Sequence, residues 1–213
     1  KYLAGVAASS LDEARLGFEE FKGEVHIESP AYKESEFTEI MQYVSHISFN
    51  SFGQWEKFKS LLPKEAKSGL RINPEHSEVK VSIYDPCAPY SRLGIKINDF
   101  KGKDLTGITG LHFHNLCELN SDSLERTLKV VEKNFGELIH RMDWVNFGGG
   151  HHITRGDYDI NLLCDLINNF QKKYNVQVYL EPGEAVALNT GFLASSVLDI
   201  VKNDIDIVIL DTS

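Results

Sequence analysis

The chain has 213 residues, of which 42% are hydrophobic and 25% are charged, a composition typical of globular domains. It carries 31 acidic and 22 basic residues and a formal net charge of −9, which argues against nonspecific nucleic-acid binding because that requires lysine and arginine to neutralise phosphates. No apolar run reaches the roughly 18 residues of a membrane span. The three cysteines form no CxxC pair, so we expect a reducing, cytoplasmic compartment without a disulfide framework.

Short apolar strands alternate with helical patterns along most of the chain. Seven strands are predicted, at Leu3–Ala8, Val25–Ile27, Ile47–Phe49, Gly69–Ile72, Gly110–His114, Trp144–Phe147 and Val176–Leu180. Helices are predicted at Leu11–Phe21, Glu34–Val44, Gln54–Leu61, Asp122–Phe135 and Ile160–Tyr174. Ser10 is the expected amino cap of the first helix.

This alternation predicts parallel strands that are joined by right-handed crossovers. Seven such units predict a (β/α)₈ TIM-type barrel that lacks its first strand unit, and we expect that unit upstream of Lys1. The alternative is an open, doubly wound sheet. The connection through Asn73–Ile97 is predicted to be long and irregular.

The pattern changes after Glu184. Phe192–Val201 and Ile205–Leu210 are rich in β-branched residues and are separated by a polar break, so we predict two strands of a second, β-rich domain. A helix over Leu193–Val201 is the alternative. Residues 1–187 are therefore predicted to form the incomplete barrel domain and residues 188–213 the start of the second domain.

Polar and glycine residues at the carboxyl ends of the strands are candidates for the active site, because barrel enzymes build their sites there. Consecutive glycines can bind a phosphate through backbone amides, although a simple turn is the alternative. A strand-end carboxylate can hold a proton on a ring nitrogen or meet a cation. The candidates are Arg71, Gly148, Gly149, Gly150, Glu181, Gly183 and Glu184.

His112 and His114 are expected on the same side of their strand. Together with His151, His152 and Glu181, they could ligate a metal ion. Alternatively, one imidazole could stack on a planar ring, or each histidine could simply be hydrogen-bonded.

Several motifs occur in order and together resemble the carboxynorspermidine/carboxyspermidine decarboxylases. These enzymes are a branch of the alanine-racemase-like, fold type III decarboxylases that use pyridoxal 5'-phosphate (PLP). The motifs are A-A-S-S-L-D-E (7–13), G-L-R-I-N-P (69–74), S-R-L-G-I (91–95), G-L-H-F-H-N-L-C-E (110–118), V-N-F-G-G-G-H-H-I-T (145–154), Y-L-E-P-G-E-A (179–185) and I-L-D-T-S (209–213).

The resemblance implies a role for each candidate residue. His114 would stack on the pyridine ring of PLP, and Glu181 would hydrogen-bond the ring nitrogen and keep it protonated. Gly148–Gly150 and Gly183 would contact the phosphate, and Arg71 would be a fixed positive charge near the cofactor. No metal ion is expected.

Glu184 departs from the arginine that ornithine and diaminopimelate decarboxylases usually carry after E-P-G. We therefore assign Glu184 to a substrate ammonium group. The resemblance implies that the enzyme removes the α-carboxylate of carboxynorspermidine or carboxyspermidine, releasing norspermidine or spermidine, and acts as a homodimer. It also places the cofactor-bearing lysine before Lys1, so we expect the chain by itself to be inactive.

Three alternatives stay open at this point. The first is another fold type III decarboxylase, such as one for diaminopimelate. The second is a metal-dependent hydrolase that uses His112, His114, His151 and His152. The third is a noncatalytic PLP-binding protein.

Overall fold

The structure is a computed structural model that describes residues 3–212. The ends of the predicted domains, at Lys1 and Ser213, lie outside this range. The parallel strands are β1 (Gly5–Ala8), β2 (Glu24–Ser29), β3 (His46–Phe49), β4 (Lys67–Arg71), β5 (Gly110–His112), β6 (Trp144–Asn146) and β7 (Gln177–Tyr179). The helices are α1 (Leu11–Leu16), α2 (Glu34–Ile40), α3 (Phe52–Phe58), α4 (Ser121–Ile139), α5 (Ile160–Tyr174) and α6 (Gly183–Ala187).

The seven strands form one parallel sheet whose spatial order is the order of the chain, from β1 to β7. A doubly wound sheet would reverse its strand order at a switch point, and this sheet has none. The predicted barrel wall is therefore confirmed, and the open-sheet alternative is wrong.

The sheet curls until its distant strands meet. His26 on β2 packs against Tyr179 on β7 with ring centroids 4.5 Å apart, although these strands are far apart in the strand order. Residues of β1 and of the end of β7 also line a shared cavity of about 340 Å³. The inner face of the sheet is thus the interior of an incomplete barrel.

Apolar and polar residues alternate along the strands and separate the two faces of the sheet. Val25, Ile27, Ile47, Phe49 and Leu70 are at most 2% exposed and belong to the hydrophobic core. The residues between them on β2 and β3 include His26 and His46, which are paired in register. Since side chains alternate sides along a strand, the polar set lines the barrel interior.

An aromatic layer fills part of this interior and consists of His26, His46, Trp144 and Tyr179. The two histidine rings are stacked, with centroids 3.8 Å apart and planes 23° apart. His46 also packs edge-on against Trp144 at 5.3 Å. These contacts join β2 and β3 to β6 and β7 across the barrel.

Local signals explain the helix boundaries. Ser10 caps α1 as predicted, and its hydroxyl accepts a hydrogen bond from the Glu13 amide at 3.3 Å. The helix predicted to run to Phe21 is α-helical only to Leu16, because Gly17–Phe21 forms a π-helix. Asp159 caps α5, and Asn175 ends it in the left-handed conformation. Within residues 3–212, no helix has both the length and the apolar character that a membrane crossing requires.

The connection between β4 and β5 is irregular, as predicted, with short 3₁₀ turns at Ser82–Tyr84 and Ile97–Phe100. One isolated bridge, Ile72 to Ile95, returns this connection to the barrel wall. The segment between Ile72 and Ile95 runs over the carboxyl end of β4.

The tail forms an antiparallel pair of strands, β8 (Val197–Asn203) and β9 (Ile205–Leu210). The helix alternative over Leu193–Val201 is therefore wrong. The strand that was predicted from Phe192 begins only at Val197, and residues 191–196 have no regular secondary structure. Every residue of both strands is exposed, including apolar residues on both faces. The division into domains at residue 187 stays a prediction.

Candidate active site

The carboxyl ends of four neighbouring strands bring polar residues to one level. Arg71 is paired in register with His112, and His112 with Asn146. Asn146 is paired in turn with Tyr179, two residues before Glu181. The barrel geometry therefore gathers side chains that are far apart in the sequence.

A charged layer lies next to the aromatic layer and consists of Glu28, Arg71, His112, Asn146 and Glu181. On β2, β6 and β7, the chain contributes a residue to the aromatic layer and, two positions later, a residue to the charged layer. This spacing follows from the two-residue period of a strand.

Arg71 is held by an ion pair across the barrel. Its Nη1 atom donates to Oε2 of Glu28 at 3.0 Å, and Nη2 donates to the His114 carbonyl oxygen at 3.4 Å. The side chains of Arg71 and Glu28 are only 8% and 17% exposed. Arg71 is thus a buried positive charge that is held in place, and its position near a cofactor stays a prediction.

Sequence reasoning missed Glu28. The signal was present, because Glu24, His26 and Glu28 alternate with the buried Val25 and Ile27. A charged residue on the inner side of a barrel strand requires a partner. That partner is Arg71 on β4. It could be identified only from the structure, because the contact depends on how the sheet curls.

Glu181 is held by Asn146, a second residue that sequence reasoning missed. The Asn146 amide donates from Nδ2 to Oε1 of Glu181 at 2.8 Å, and its Oδ1 accepts from the Gly148 amide at 2.8 Å. Burial raises the pKa of Glu181, and the Asn146 hydrogen bond partly offsets that rise. The polar Asn146 inside the apolar run Trp144–Phe147 was the available signal.

The glycine loop at 148–150 packs tightly between the ends of β5 and β7. Gly148 and Gly150 have φ values of 70° and 81°, which only glycine adopts without strain. A Cβ at Gly149 would lie 2.7 Å from the Glu181 carbonyl oxygen and 3.1 Å from the His114 ring. A side chain at any of the three positions would collide with the backbone of the protein itself, so this loop can remain close to its neighbours only as glycine.

The strand predicted over Gly110–His114 ends at His112, so His114 lies just beyond β5. Burial, and secondly the charge of Arg71, lowers the pKa of His114 to about 4. The ring is therefore neutral near pH 7 and presents a flat face beside Gly149. Gly183 begins α6, and its amide already donates to the Glu181 carbonyl oxygen at 2.8 Å.

Glu184 lies beside His152, with Oε2 of the carboxylate 3.3 Å from Nε2 of the ring. Glu118, the last residue of the G-L-H-F-H-N-L-C-E motif, joins them in one cluster. Sequence reasoning quoted Glu118 but gave it no role. The structure therefore places Glu184 in an acidic cluster that could meet a cation.

The structure separates the histidines that were considered for a metal site. His112 and His114 have donor atoms near Glu181, whereas His152 belongs to the group with Glu118 and Glu184. His151 is in none of the groups found among the described residues. The four histidines therefore do not converge on one ion.

Curated proteins with similar sequences are decarboxylases of carboxylated amines. The chain is 52% identical over 213 residues to a carboxynorspermidine/carboxyspermidine decarboxylase from Campylobacter jejuni, covering all of the chain and 56% of the relative. A carboxyaminopropylagmatine decarboxylase from Synechocystis is 45% identical over 202 residues, covering 94% of the chain and 52% of the relative. The chain thus spans little more than half of the length of the relatives it matches. No protein-family profile matches it.

Solved structures with this fold include carboxynorspermidine decarboxylase from Campylobacter jejuni, complexed with norspermidine. It superposes with a TM-score of 0.84 at 50% identity, covering all of the chain and 55% of that structure. A diaminopimelate decarboxylase superposes with a TM-score of 0.76 at 16% identity, covering 98% of the chain and 55% of that structure. The second likeness concerns the fold alone.

Proposed function

The chain is a homologue of the carboxynorspermidine/carboxyspermidine decarboxylases, and on that premise we propose that it forms most of the barrel of such an enzyme. The proposed reaction removes the α-carboxylate of carboxynorspermidine or carboxyspermidine as carbon dioxide and releases norspermidine or spermidine. The alignment covers every residue of the chain at 52% identity, and it agrees with the family that the sequence motifs predicted.

One observation carries the proposal beyond the resemblance. The Glu181 carboxylate, the neutral His114 ring and the glycine loop meet at the carboxyl end of the barrel, where Asn146 bonds both Glu181 and Gly148. A carboxylate, a flat neutral ring and a glycine loop with backbone amides are groups that would hold a phosphorylated pyridine.

These residues fit PLP. A Cβ at Gly149 would come within 3.1 Å of the His114 ring, so the glycine keeps the loop beside the imidazole that would cover the cofactor. When bound, PLP supplies an electron sink for the charge that decarboxylation leaves on the α-carbon. Glu181 would hold a proton at the ring nitrogen, Gly148–Gly150 and Gly183 would bind the phosphate, and Arg71 would add a fixed positive charge.

Substrate binding is proposed to involve Glu184. Its carboxylate is half-exposed and lies near that of Glu118, so the cluster offers negative charge to an ammonium group. The net charge of −9 also suits a polycationic substrate. We further propose that the enzyme is a cytoplasmic homodimer, and the three free cysteines agree with a reducing compartment.

A second candidate substrate follows from one comparison. The 45% identity to a carboxyaminopropylagmatine decarboxylase favours a carboxylated agmatine derivative as the alternative. Its guanidinium group would need the same acidic cluster. Diaminopimelate is less favoured as a substrate, because the diaminopimelate decarboxylase shares only 16% identity.

The test uses the complete protein, loaded with PLP. Amine release is measured from carboxynorspermidine, carboxyspermidine, carboxyaminopropylagmatine and diaminopimelate. We expect the carboxylated polyamines to be preferred and the activity to be lost in Glu181→Gln. The matched control is Glu137→Gln, which changes an exposed carboxylate on α4 and should leave turnover unchanged. Preference for diaminopimelate would contradict the substrate, and absence of PLP-dependent release would contradict the function.

A further inference from the structure

His112 is buried beside Glu181 without a hydrogen-bond partner. The residue is 1% exposed, and neither ring nitrogen forms a hydrogen bond within the described residues. Its Nε2 atom lies 3.6 Å from Oε2 of Glu181, slightly beyond hydrogen-bond distance. Buried polar atoms are nearly always satisfied in native proteins, so an unsatisfied ring calls for an explanation.

The surroundings of His112 determine its protonation state. Arg71 on β4, His114 beyond β5 and His26 on β2 all disfavour a positive charge on the ring. Burial is the largest cause, and the pKa of His112 lies well below its usual value. Glu28 is nearby but is already paired with Arg71. The ring is therefore neutral, with one nitrogen as donor and the other as acceptor.

The two oxygens of the Glu181 carboxylate are in different situations. Oε1 accepts a hydrogen bond from Asn146 at 2.8 Å. Oε2 accepts none from the side chains that the structure describes, and it is the oxygen that faces Nε2 of His112. A small rotation of either side chain would bring the two atoms into hydrogen-bond distance.

We propose that His112 is a positioning residue that acts through Glu181: its neutral ring donates from Nε2 to Oε2, while Asn146 donates to Oε1. With one donor on each oxygen, the carboxylate is fixed in the orientation that meets the ring nitrogen of the cofactor. The assignment rests on the proposed function, since that function gives Glu181 its role.

The second donor has a chemical consequence. Burial favours the protonated, uncharged form of Glu181, which could not hold a proton on the ring nitrogen. A hydrogen bond to the ionised form favours that form. His112 would thus keep Glu181 ionised at pH values where burial alone would neutralise it.

Two amide variants separate a positioning role from a packing role. The amide nitrogen of a glutamine at this position would lie approximately where Nε2 of His112 lies, whereas that of an asparagine would lie only where Nδ1 lies. In the complete protein we expect His112→Asn to weaken PLP affinity by about tenfold, the effect of one lost hydrogen bond to a charged group. We expect His112→Gln to restore most of it. His140→Gln, on the exposed end of α4, is the control.

The second readout is the pH profile of kcat. Without the donor, the pKa of Glu181 rises, so the acid limb of the profile should move to higher pH in His112→Asn and return in His112→Gln. Equal affinities and equal profiles for the two variants would overturn the assignment, whichever way they differ from the wild type. If the wild-type protein binds no PLP, the proposed function fails as well, and the two failures are thereby distinguished.

Discussion

The barrel interior contains two layers of side chains from the same sheet. The layers differ in how many of their buried polar atoms lack a hydrogen-bond partner. In the aromatic layer, the rings of His26 and His46 stack on each other and pack against Trp144 and Tyr179. In the charged layer, two positions further along the strands, both ring nitrogens of His112 and one oxygen of Glu28 have no hydrogen-bond partner among the described residues, whereas the aromatic layer contains one such buried atom, Nε2 of His46. A layer whose rings pack on one another stabilises the barrel, whereas a layer with more unpaired buried polar atoms has more capacity to bind a ligand.

This difference follows the usual division of a barrel. In barrel enzymes the packed interior stabilises the fold, whereas the catalytic residues lie at the carboxyl ends of the strands. Because a strand has a period of two residues, a shift of two positions keeps a side chain inside but moves it to the next layer. The layers can therefore be tested separately.

The largest effect is expected from breaking the ion pair of the charged layer. Arg71→Met leaves the buried Glu28 carboxylate without its partner, so we expect a loss of about 3–5 kcal/mol in the free energy of unfolding. Denaturant unfolding of the complete protein measures it. Arg71→Met combined with Glu28→Leu should recover most of the stability but not the cofactor binding. If the double variant is as unstable as the single one, the pair is not the cause.

A steric change should damage the aromatic layer without touching the charged one. A Cβ at Gly110 would lie 2.0 Å from the Trp144 ring, so Gly110→Ala requires the indole to move. We expect a loss of about 1–3 kcal/mol in the free energy of unfolding. Gly156→Ala is the matched control for adding a methyl group, since nothing lies within 4 Å of that position and its φ is not positive. Unchanged stability in Gly110→Ala would contradict the tight packing of this layer.

The aromatic layer should also make stability depend on pH. Burial, and secondly His26, lowers the pKa of His46 to about 3. The unfolded chain therefore binds protons below about pH 6.5 while the folded chain does not. Stability from this residue is complete above pH 6.5 and is lost as the pH falls toward 3, by at most about 1.4 kcal/mol per pH unit.

Urea unfolding between pH 7 and pH 5 measures this dependence. His46→Gln should reduce the slope by the share of this one residue, whereas the exposed His140→Gln should leave the slope unchanged. An unchanged slope in His46→Gln would assign the pH dependence to the other buried histidines, such as His114 and His151, whose pKa values are lowered to about 4.

The smallest effect is expected outside both layers. Ser10→Ala removes the side-chain cap of α1, which we expect to cost about 1 kcal/mol in the free energy of unfolding. PLP affinity should not change, because the Ser10 hydroxyl bonds the Glu13 amide and no residue of the charged layer. A change in affinity would mean that α1 supports the site, and the contrast between interior and wall would then need revision.

The sequence was sufficient to predict elements whose signals are local. Ser10 caps its helix through a residue three positions away, and the strand alternation depends only on neighbouring residues. Arg71, Glu181 and the glycine loop were found because strand ends are recognisable from the chain itself. The role of each of these residues stays a prediction.

Contacts across the barrel could not be predicted in the same way. Glu28 meets Arg71 over a separation of 43 residues, and Asn146 meets Glu181 over 35. Neither pairing follows from spacing, because the distance between two side chains depends on how far the sheet curls. The start of β8 at Val197 was missed for a different reason, since the apolar residues Phe192 and Leu193 have the composition of a strand but form none.

The strand order also affects the route by which the barrel assembles. Every strand of the sheet pairs with the strand that precedes or follows it in the chain, so each pairing of the wall can form once two successive units of the chain are present. The edge-on packing of His26 against Tyr179 differs, because it closes a loop of most of the chain and carries the corresponding entropy cost. We therefore expect the wall to form strand by strand as the chain emerges from the ribosome, and the contacts of the aromatic layer to form last.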